Sequence, residues 1–388
     1  MSNDSSQKTR TVRAALDTDT QFGAVVPPIH LTSTFSFAGY GQKRAYDYSR
    51  SGNPTRDALA GALADLEGGA GAVVTSSGMA AVSLVTQLFR PGQIAVVPHD
   101  CYGGTYRLFN ALRERGALDV RFVDFQEPQS LAAALAERPA LVWIETPSNP
   151  LLRIVDIARV AGEARAAGAL VAADNTFLSP VWQQPITLGA DVVVHSTTKY
   201  LNGHSDVVGG AVVAARTDLH EKLAWWANCV GATGAPFDSY LTLRGLRTLH
   251  ARMRSHGENT AQVVDLLARH PAVARVYYPG LASHPGHELA RRQQQGFGAM
   301  VSFELKGSLD NVRALLDALQ LFSLAESLGG VESLVAHPAS MTHAAMDAAA
   351  RARAGISDTL IRLSVGIEEG SDLVRDLEHG LDAARGAG

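Results

Sequence analysis

The sequence predicts an α/β fold with a mainly parallel, seven-stranded sheet in a large domain, followed by a smaller α+β domain. Short apolar runs alternate with helical patterns, and strands separated by helices form parallel sheets covered on both faces. The chain of 388 residues also exceeds the usual size of one hydrophobic core. The seven predicted strands cover residues 72–75, 94–97, 120–123, 141–144, 170–173, 191–194 and 210–214.

Residues 1–55 are predicted to form an N-terminal arm that precedes the sheet. This part has a Pro-Pro pair and many hydroxyl side chains, but little helical periodicity. A helix is predicted to follow, with Asn53 as its N-cap and Pro54 at its first position. The helix is expected to end at Gly68, because glycine commonly terminates helices.

The domain boundary is predicted after the seventh strand. Residues 56–256 are expected to form the large domain and residues 257–388 the small domain. A helical stretch over residues 238–269 leads out of the large domain. Apolar runs then predict strands at residues 273–278, 300–305 and 360–367.

Composition and charge exclude several classes of partner. A net charge of -4 leaves no basic surplus for binding nucleic acid. The polar first ten residues predict no signal peptide, and no apolar run is long enough to predict a membrane span. Two cysteines, Cys101 and Cys229, form no disulfide framework, so a cytoplasmic location is expected.

Two common kinds of ligand site are also not expected. His284 and His287 have no completing cluster of ligands, so they are interpreted as loop residues and no metal is predicted. A nicotinamide enzyme is excluded because no Gly-x-Gly-x-x-Gly motif follows the first strand.

Polar residues end several of the predicted strands. Thr75, Glu145, Asp174 and His195 lie at these carboxyl ends, where ligands of parallel sheets bind. We therefore expect the four side chains to converge on one site.

Lys199 and Asp174 indicate the chemistry of that site. Lys199 follows a Val-rich strand and three hydroxyl residues, and Asp174 directly follows the preceding strand. Pyridoxal phosphate requires a lysine that holds its aldehyde and a carboxylate that keeps its pyridine nitrogen protonated. The alternatives are a solvated surface lysine and an aspartate that caps a helix.

The segment Ser76-Ser77-Gly78-Met79 predicts a phosphate site. It follows a strand and opens an apolar helix over residues 80–89. Free N–H groups and the helix dipole favour an anion at such a terminus, and glycine lets the phosphate approach the backbone. An ordinary N-cap serine is the alternative.

Long motifs give the chain a family resemblance. Asp174-Asn-Thr-Phe and Ser196-Thr-Thr-Lys-Tyr-Leu-Asn-Gly-His resemble the transsulfuration branch of the pyridoxal-phosphate enzymes. Tyr48-Ser-Arg-Ser-Gly-Asn-Pro-Thr and Arg362-Leu-Ser-Val-Gly-Ile-Glu extend the resemblance over nearly the whole chain. The resemblance implies pyridoxal-phosphate fold type I, in which the large domain is similar to that of aspartate aminotransferase.

The resemblance also implies roles around the cofactor. Lys199, Tyr102 and Asp174 would be catalytic, and Tyr102 would stack on the cofactor ring. Tyr48 and Arg50 would reach the phosphate of a neighbouring subunit, so a homotetramer built as a dimer of dimers with shared active sites is expected. The implied cofactor-binding residues are Tyr48, Arg50, Ser77, Gly78, Met79, Tyr102, Asp174, Thr176, Ser196, Thr198 and Lys199.

Further residues are implied to bind a small amino-acid substrate. Arg362 would clamp the α-carboxylate, assisted by Asn149 and Ser327. Arg107 is a candidate for a distal carboxylate, although it could equally be a solvated helix charge. Asp47 and Glu326 would suit the second amino group of cystathionine.

The resemblance favours γ-elimination of L-cystathionine to L-cysteine, 2-oxobutanoate and ammonia, the cystathionine γ-lyase reaction. Cystathionine γ-synthase, which replaces the ester group of O-succinyl-L-homoserine with L-cysteine, is a close alternative. Ser51 places the lyase first, because many synthases carry a second arginine there. Methionine γ-lyase is less favoured, because its pocket cysteine would fall at Gly104. A cofactor carrier or regulator without catalysis is the non-enzyme alternative.

Overall fold

A computed structural model describes residues 5–342, 351 and 354–387. The larger of two sheets has seven strands in the order β1-β7-β6-β5-β4-β2-β3. The strands are β1 (Gly71–Thr75), β2 (Ile94–Pro98), β3 (Asp119–Val123), β4 (Leu141–Glu145), β5 (Leu170–Asp174), β6 (Val192–Ser196) and β7 (Gly210–Ala214). All seven predicted strands are therefore confirmed.

The sheet is parallel except at β7, which runs antiparallel to both β1 and β6. The reason lies in the connection between β6 and β7, since residues 197–209 contain no helix. A parallel strand needs a long crossover connection, whereas an antiparallel strand can return directly. The prediction of a mainly parallel sheet is confirmed.

Helices cover both faces of this sheet. Val193 and Val213 pack with the helix that precedes β1, whereas Val192 and Val212 pack with helices on the opposite face. The helices of this part are α2 (Pro54–Glu67), α3 (Gly78–Thr86), α4 (Gly103–Glu114), α5 (Pro128–Ala136), α6 (Ile157–Ala166), α7 (Ser179–Trp182), α8 (Thr217–Val230) and α9 (Pro236–Leu246).

Helix α2 begins and ends as its sequence predicts. The Asn53 side chain accepts hydrogen bonds from the amides of Thr55 and Arg56, and Pro54 occupies the first helical position. Gly68 ends the helix with φ 72°, a left-handed conformation that glycine adopts without steric penalty. These caps fix where Glu67, the last residue of α2, enters the interior.

The arm contains one helix that the sequence analysis did not predict, α1 (Gln7–Val12). Its six residues are too few to show a clear apolar period. The Ser6 side chain caps it, and Gln7 Nε2 donates to the carbonyl oxygens of Leu66 and Pro180. The helix is thus held to the large domain by contacts with distant residues.

The small domain contains the second sheet, with five strands in the order β10-β11-β12-β9-β8. The three predicted strands are confirmed, and the two short strands β10 and β11 were not predicted. The elements that follow α9 are α10 (Leu249–Arg269), β8 (Val273–Tyr277), α11 (His287–Gln293), β9 (Met300–Leu305), α12 (Leu309–Ala318), β10 (Ser323–Leu324), β11 (Leu334–Ala336), β12 (Leu360–Ser364) and α13 (Gly370–Gly386).

The helical stretch predicted over residues 238–269 is divided into two helices, α9 and α10. The carbonyl oxygen of Gly245 accepts hydrogen bonds from the amide of Thr248 and from the guanidinium of Arg252. These bonds satisfy the carbonyl at the break. Helix α10 runs through residue 256, where the domain boundary was predicted, and that boundary remains a prediction. No helix in the described part of the chain is long and apolar enough to cross a membrane.

Candidate active site

A cavity of about 390 Å³ lies at the carboxyl ends of β4, β5 and β6, with one wall formed by residues of the small domain. Its position agrees with the rule that ligands of parallel sheets bind at the ends of the strands. Fourteen of the predicted site residues line it: Ser77, Gly78, Met79, Tyr102, Arg107, Asn149, Asp174, Thr176, Ser196, Thr198, Lys199, Glu326, Ser327 and Arg362.

The three arm residues of the prediction lie outside this cavity. Arg50 Nη1 donates to the backbone oxygen of Asn228 at 2.7 Å and to its side-chain oxygen at 3.1 Å. Asp47 pairs with Lys43 at 2.9 Å, and the Tyr48 side chain is about half exposed. Their predicted contacts with a neighbouring subunit remain predictions.

The expected convergence of four strand ends is correct for Glu145 and Asp174 and wrong for Thr75 and His195. Successive side chains on a strand point to opposite faces of the sheet. His195 therefore points away from Ser196, and its Nε2 lies 2.6 Å from Glu67 Oε1. Thr75 Oγ1 donates to the Ser77 carbonyl oxygen at 2.9 Å.

One end of the cavity has the geometry of an anion cradle. Ser77 is the N-cap of α3, and its hydroxyl accepts a hydrogen bond from the amide of Ala80 at 3.0 Å. A Cβ atom added to Gly78 would lie 2.7 Å from Cβ of Ser196. Glycine thus lets β6 approach the terminus of α3, where free backbone N–H groups favour a phosphate.

Lys199 lines the cavity. Its Nζ donates to Ser327 Oγ at 2.7 Å, which joins the large domain to the small domain. Burial, together with the positive charge of Arg362, lowers the pKa of the Lys199 amine to about 8. A larger neutral fraction near neutral pH makes this amine a better nucleophile and proton acceptor than an exposed lysine.

Asp174 and Glu145 face each other across β5 and β4. Burial, followed by the negative charge of Asp174, raises the pKa of Glu145 to about 8, and burial also raises the pKa of Asp174. Asp174 has no ion-pair partner among the residues that the structure describes. A cationic ring nitrogen beside it would offset this burial, so its setting fits a protonated pyridine.

Glu145 was expected at the site, but the sequence assigned it no role there. Its Oε2 accepts a hydrogen bond from the amide of Tyr102 at 2.7 Å, and Oε1 accepts one from Trp143 Nε1 at 3.1 Å. The carboxylate thus holds the start of α4, where Tyr102 lines the cavity. Its place at the carboxyl end of a predicted strand was the available signal.

Arg362 is buried in β12 and extends toward the cavity from the small domain. Its two terminal nitrogens donate to Asn149 Oδ1 at 3.1 Å and to the Ser327 carbonyl oxygen at 2.9 Å. Its Nε has no hydrogen-bond partner among the described residues. Burial lowers the pKa of Arg362 to about 10, so the group is still cationic at neutral pH and suits a carboxylate.

The wall formed by α4 limits the width of the cavity. A Cβ atom added to Gly104 would lie 2.5 Å from the Tyr102 ring and 2.8 Å from Met79 Sδ. A larger residue there would require the Tyr102 ring to move. Arg107, on the same helix, is exposed and lines the cavity, and its role as a distal contact remains a prediction.

The cavity therefore fits pyridoxal phosphate by its donor set. A backbone cradle for an anion, a lysine with a lowered pKa and a carboxylate without a cation line one space. Arg362, the predicted clamp for a substrate carboxylate, adjoins this space from the small domain.

Comparisons with known proteins agree with this geometry. Cystathionine gamma-synthase of Escherichia coli (strain K12) is 59% identical over 379 residues, which cover 97% of this chain and 98% of that protein. Cystathionine gamma-lyase of Dictyostelium discoideum is 47% identical over 96% of this chain and 97% of its own length. A crystal structure of cystathionine gamma synthase from Xanthomonas oryzae pv. oryzae has a TM-score of 0.98 at 61% identity, covering 99% of both chains.

The family model described as Cys/Met metabolism PLP-dependent enzyme matches residues 8–382. The predicted cofactor, fold type I and enzymatic nature are thereby confirmed, and the homologues support a cystathionine γ-synthase or γ-lyase type of enzyme that acts on small amino acids. The chain belongs to the Cys/Met metabolism family of PLP-dependent enzymes.

Proposed function

We propose that this enzyme is a cystathionine γ-synthase, which converts O-succinyl-L-homoserine and L-cysteine into L-cystathionine and succinate. The observation that carries the proposal is the Lys199–Ser327–Arg362 arrangement, which places an amine with a lowered pKa next to a carboxylate clamp. High identity to two synthases over nearly their whole length supports the choice of reaction.

The chain's own residues would divide the work. Bound pyridoxal phosphate supplies an electron sink that acidifies the substrate carbons next to the amino group. Arg362 and Asn149 bind the α-carboxylate and orient the substrate. Lys199 Nζ accepts the proton from the α-carbon, and Asp174 keeps the pyridine nitrogen protonated.

Further residues would hold the cofactor. Ser77, Gly78, Met79, Ser196 and Thr198 surround its phosphate. Tyr102 and Thr176 line the cavity and would contact the cofactor ring, and Glu145 holds Tyr102 in place through its backbone amide.

A second reaction, γ-elimination of cystathionine to cysteine, 2-oxobutanoate and ammonia, is favoured by Ser51. The Ser51 hydroxyl donates to Asp47 Oδ1 and to the Tyr48 carbonyl oxygen, so this position offers no cation to a succinyl group. The sequence analysis ranked this lyase reaction first for that reason. Identity to the synthases supports our choice of replacement as the first candidate, with elimination as the second.

Assays of the purified, cofactor-loaded enzyme test the proposal. O-succinyl-L-homoserine is supplied with L-cysteine, and L-cystathionine is supplied alone, while cystathionine, cysteine and 2-oxobutanoate are quantified. We expect the specificity constant for cystathionine formation from the ester to exceed that for cystathionine breakdown. Faster cysteine and 2-oxobutanoate release from cystathionine would instead make the enzyme a lyase.

Ser51→Arg provides a matched variant for the same assay. A cation there would improve ester use by about tenfold, because a hydrogen bond to a charged group contributes about 1.5–3 kcal/mol. Breakdown of cystathionine should gain less, because the ammonium group next to its distal carboxylate would be repelled by the added cation. Equal changes in both reactions would show that Ser51 does not set the preference.

We also propose a homotetramer built as a dimer of dimers, in which the arm reaches a neighbouring cofactor site. The arm exposes several large apolar side chains that a neighbouring copy would cover: Phe22, Val25, Leu31, Phe37 and Tyr40. Sedimentation equilibrium of the cofactor-loaded protein tests this assembly. A monomer with full cofactor affinity would contradict it.

A further inference from the structure

A fully buried polar cluster lies behind the cavity, on the side of the sheet covered by α2. Glu67, Asn175 and His195 are each 0% exposed, and Gln183 is 2% exposed. Glu67 Oε1 lies 2.6 Å from His195 Nε2 and accepts a hydrogen bond from Asn175 Nδ2 at 2.8 Å. We name these four residues the Glu67 network.

The network extends to a third strand through Gln183. The Gln183 amide donates to Asn175 Oδ1 at 3.1 Å and to the backbone oxygen of Thr146 at 3.0 Å. Its backbone oxygen accepts a hydrogen bond from Asn175 Nδ2 at 2.7 Å. One cluster thus joins the last residue of α2 to the ends of β4, β5 and β6.

Each strand end in contact with the network has a cavity residue directly beside it. Thr146 follows Glu145, Asn175 follows Asp174, and His195 precedes Ser196. Successive side chains of a strand point to opposite faces of the sheet. Because His195 points toward Glu67 and α2, the next side chain, Ser196, points toward the cavity.

Backbone hydrogen bonds tie the same strand ends to one another. The amide of Asn175 donates to the Val194 carbonyl oxygen at 3.0 Å, and the amide of Ser196 donates to Thr176 Oγ1 at 2.9 Å. The strand ends that carry Asp174 and Ser196 are therefore held by two sets of hydrogen bonds, and those of the Glu67 network are the more deeply buried set.

Folding stability alone does not require such a network. A buried carboxylate and imidazole carry a desolvation penalty, and apolar residues of similar volume often replace such groups without loss of stability. A connected polar network instead specifies one arrangement of the elements that it joins.

We propose that the Glu67 network positions Asp174 and Ser196 for the cofactor. Glu67, Asn175, His195 and Gln183 would act through the backbone next to the cavity and would not touch the cofactor. This inference rests on the proposed roles of Asp174 at the pyridine nitrogen and Ser196 at the phosphate.

His195→Gln and His195→Asn form the central test. Glutamine can reach Glu67 with its amide N–H, whereas asparagine is one methylene shorter and cannot. The dissociation constant of pyridoxal phosphate is measured by titration of the full-length apoenzyme. Circular dichroism in the visible band of the bound cofactor reports the orientation of its ring.

We expect His195→Gln to bind the cofactor within about twofold of the parent and His195→Asn about tenfold more weakly, which is the loss typical of a hydrogen bond to a charged group. The visible circular dichroism should fall in His195→Asn alone. Equal affinity and equal spectra in the two variants would overturn the proposal.

Glu67→Gln and Glu67→Leu give a second test if a His195 variant does not fold. Both hydrogen bonds to Glu67 end on Oε1, and Oε2 has no partner among the described residues, so glutamine can retain both bonds. We expect Glu67→Gln to keep the affinity for the cofactor and Glu67→Leu to lose it. A similar loss of cofactor affinity in both variants would overturn the claim that the hydrogen bonds of Glu67 position the cofactor site.

Asp376→Asn is the control for a purely structural effect. Asp376 is a buried carboxylate of the small domain that accepts hydrogen bonds from the amides of Gln320, Leu321 and Phe322. Its replacement should lower the unfolding temperature without changing either cofactor measurement. A change of cofactor affinity as large as in His195→Asn would contradict a local role for the network.

The cofactor measurements need no substrate, so they are independent of the choice between synthase and lyase. Asp174→Asn is titrated in parallel. Unchanged affinity and dichroism in that variant would reject the proposed role of Asp174 itself. If the Glu67 network does not position Asp174 and Ser196, the two His195 variants should have equal cofactor affinity and equal dichroism, which is a separate outcome.

Discussion

The cavity and the N-terminal arm place predicted site residues in opposite settings. In the cavity, Lys199 and Arg362 are linked through Ser327 by hydrogen bonds within one chain. In the arm, Arg50 and Tyr48 lie outside the cavity, and large apolar side chains are exposed. The difference teaches that one chain assembles the reaction centre, whereas the arm residues acquire their proposed role only against another copy.

Lys199→Ala is expected to have the largest effect on the cavity side of this comparison. Removing the amine should lower kcat by about 10²–10⁴-fold, because the group proposed to accept the proton from the α-carbon is lost. Steady-state turnover measures the loss, and Lys306→Ala, an exposed lysine of the small domain, is the control. Turnover within tenfold of the parent would reject the central role of Lys199.

Arg362→Ala should have the next largest effect. Loss of a charged hydrogen-bond donor to the substrate carboxylate costs about 1.5–3 kcal/mol, which is roughly a tenfold to hundredfold fall in kcat/KM. Affinity for the cofactor should stay near that of the parent. Arg275→Ala, in the same domain but outside the cavity, should retain activity. An equal loss of kcat/KM in that variant would contradict a specific role of Arg362 in binding the substrate carboxylate.

Arg50→Ala tests the arm side of the comparison. If Arg50 binds the phosphate of a neighbouring site, its loss should weaken cofactor binding about tenfold, as expected for one charge-assisted hydrogen bond. Titration of the apoenzyme measures this, with Arg44→Ala as an arm control. Unchanged affinity in the assembled protein would mean that Arg50 has no part in the cofactor site.

Glu145→Gln should have the smallest effect, on the pH dependence of apoenzyme stability. The pKa of Glu145 is about 8 in the folded state, above its usual value of 4.5. Between these two pH values, the folded state therefore binds more protons than the unfolded state. The contribution to stability is present below pH 4.5 and is lost as pH rises toward 8.

Thermal unfolding of the apoenzyme between pH 5 and pH 8 measures this contribution. Glu145→Gln should flatten the fall of the unfolding temperature by an amount on the order of a few degrees. Asp174, whose pKa burial also raises, should keep a residual slope in the variant. A slope identical to that of the parent would exclude Glu145 as its source.

Signals between residues that are close in sequence predicted much of the fold. The features that were missed depend on other contacts or on segments too short to show a pattern. Helix α2 was predictable because Asn53, Pro54 and Gly68 mark its ends within the chain itself. Helix α1 was missed because six residues carry too little periodicity, and its anchors on Leu66 and Pro180 lie far away in sequence. The break between α9 and α10 likewise depends on the Arg252 side chain reaching the Gly245 carbonyl.

The candidate site shows the same limit. Motifs around Lys199, Asp174 and Arg362 identified the cofactor chemistry, because residue type and strand position determine which groups can reach a ligand. They did not determine which face each strand end presents. His195 was expected in the cavity, yet it pairs with Glu67 on the opposite side of the sheet.

The sequence by itself determined the seven strands of the large sheet, the caps of α2 and the residue types of the candidate site, since all of these depend on neighbours along the chain. Only the tertiary structure decided that Glu145 supports Tyr102, that Ser327 joins Lys199 to Arg362, and that Glu67 binds His195. These contacts join residues 43 to 128 positions apart. Their existence depends on burial, because a polar group that leaves water must find its partner wherever the fold places one.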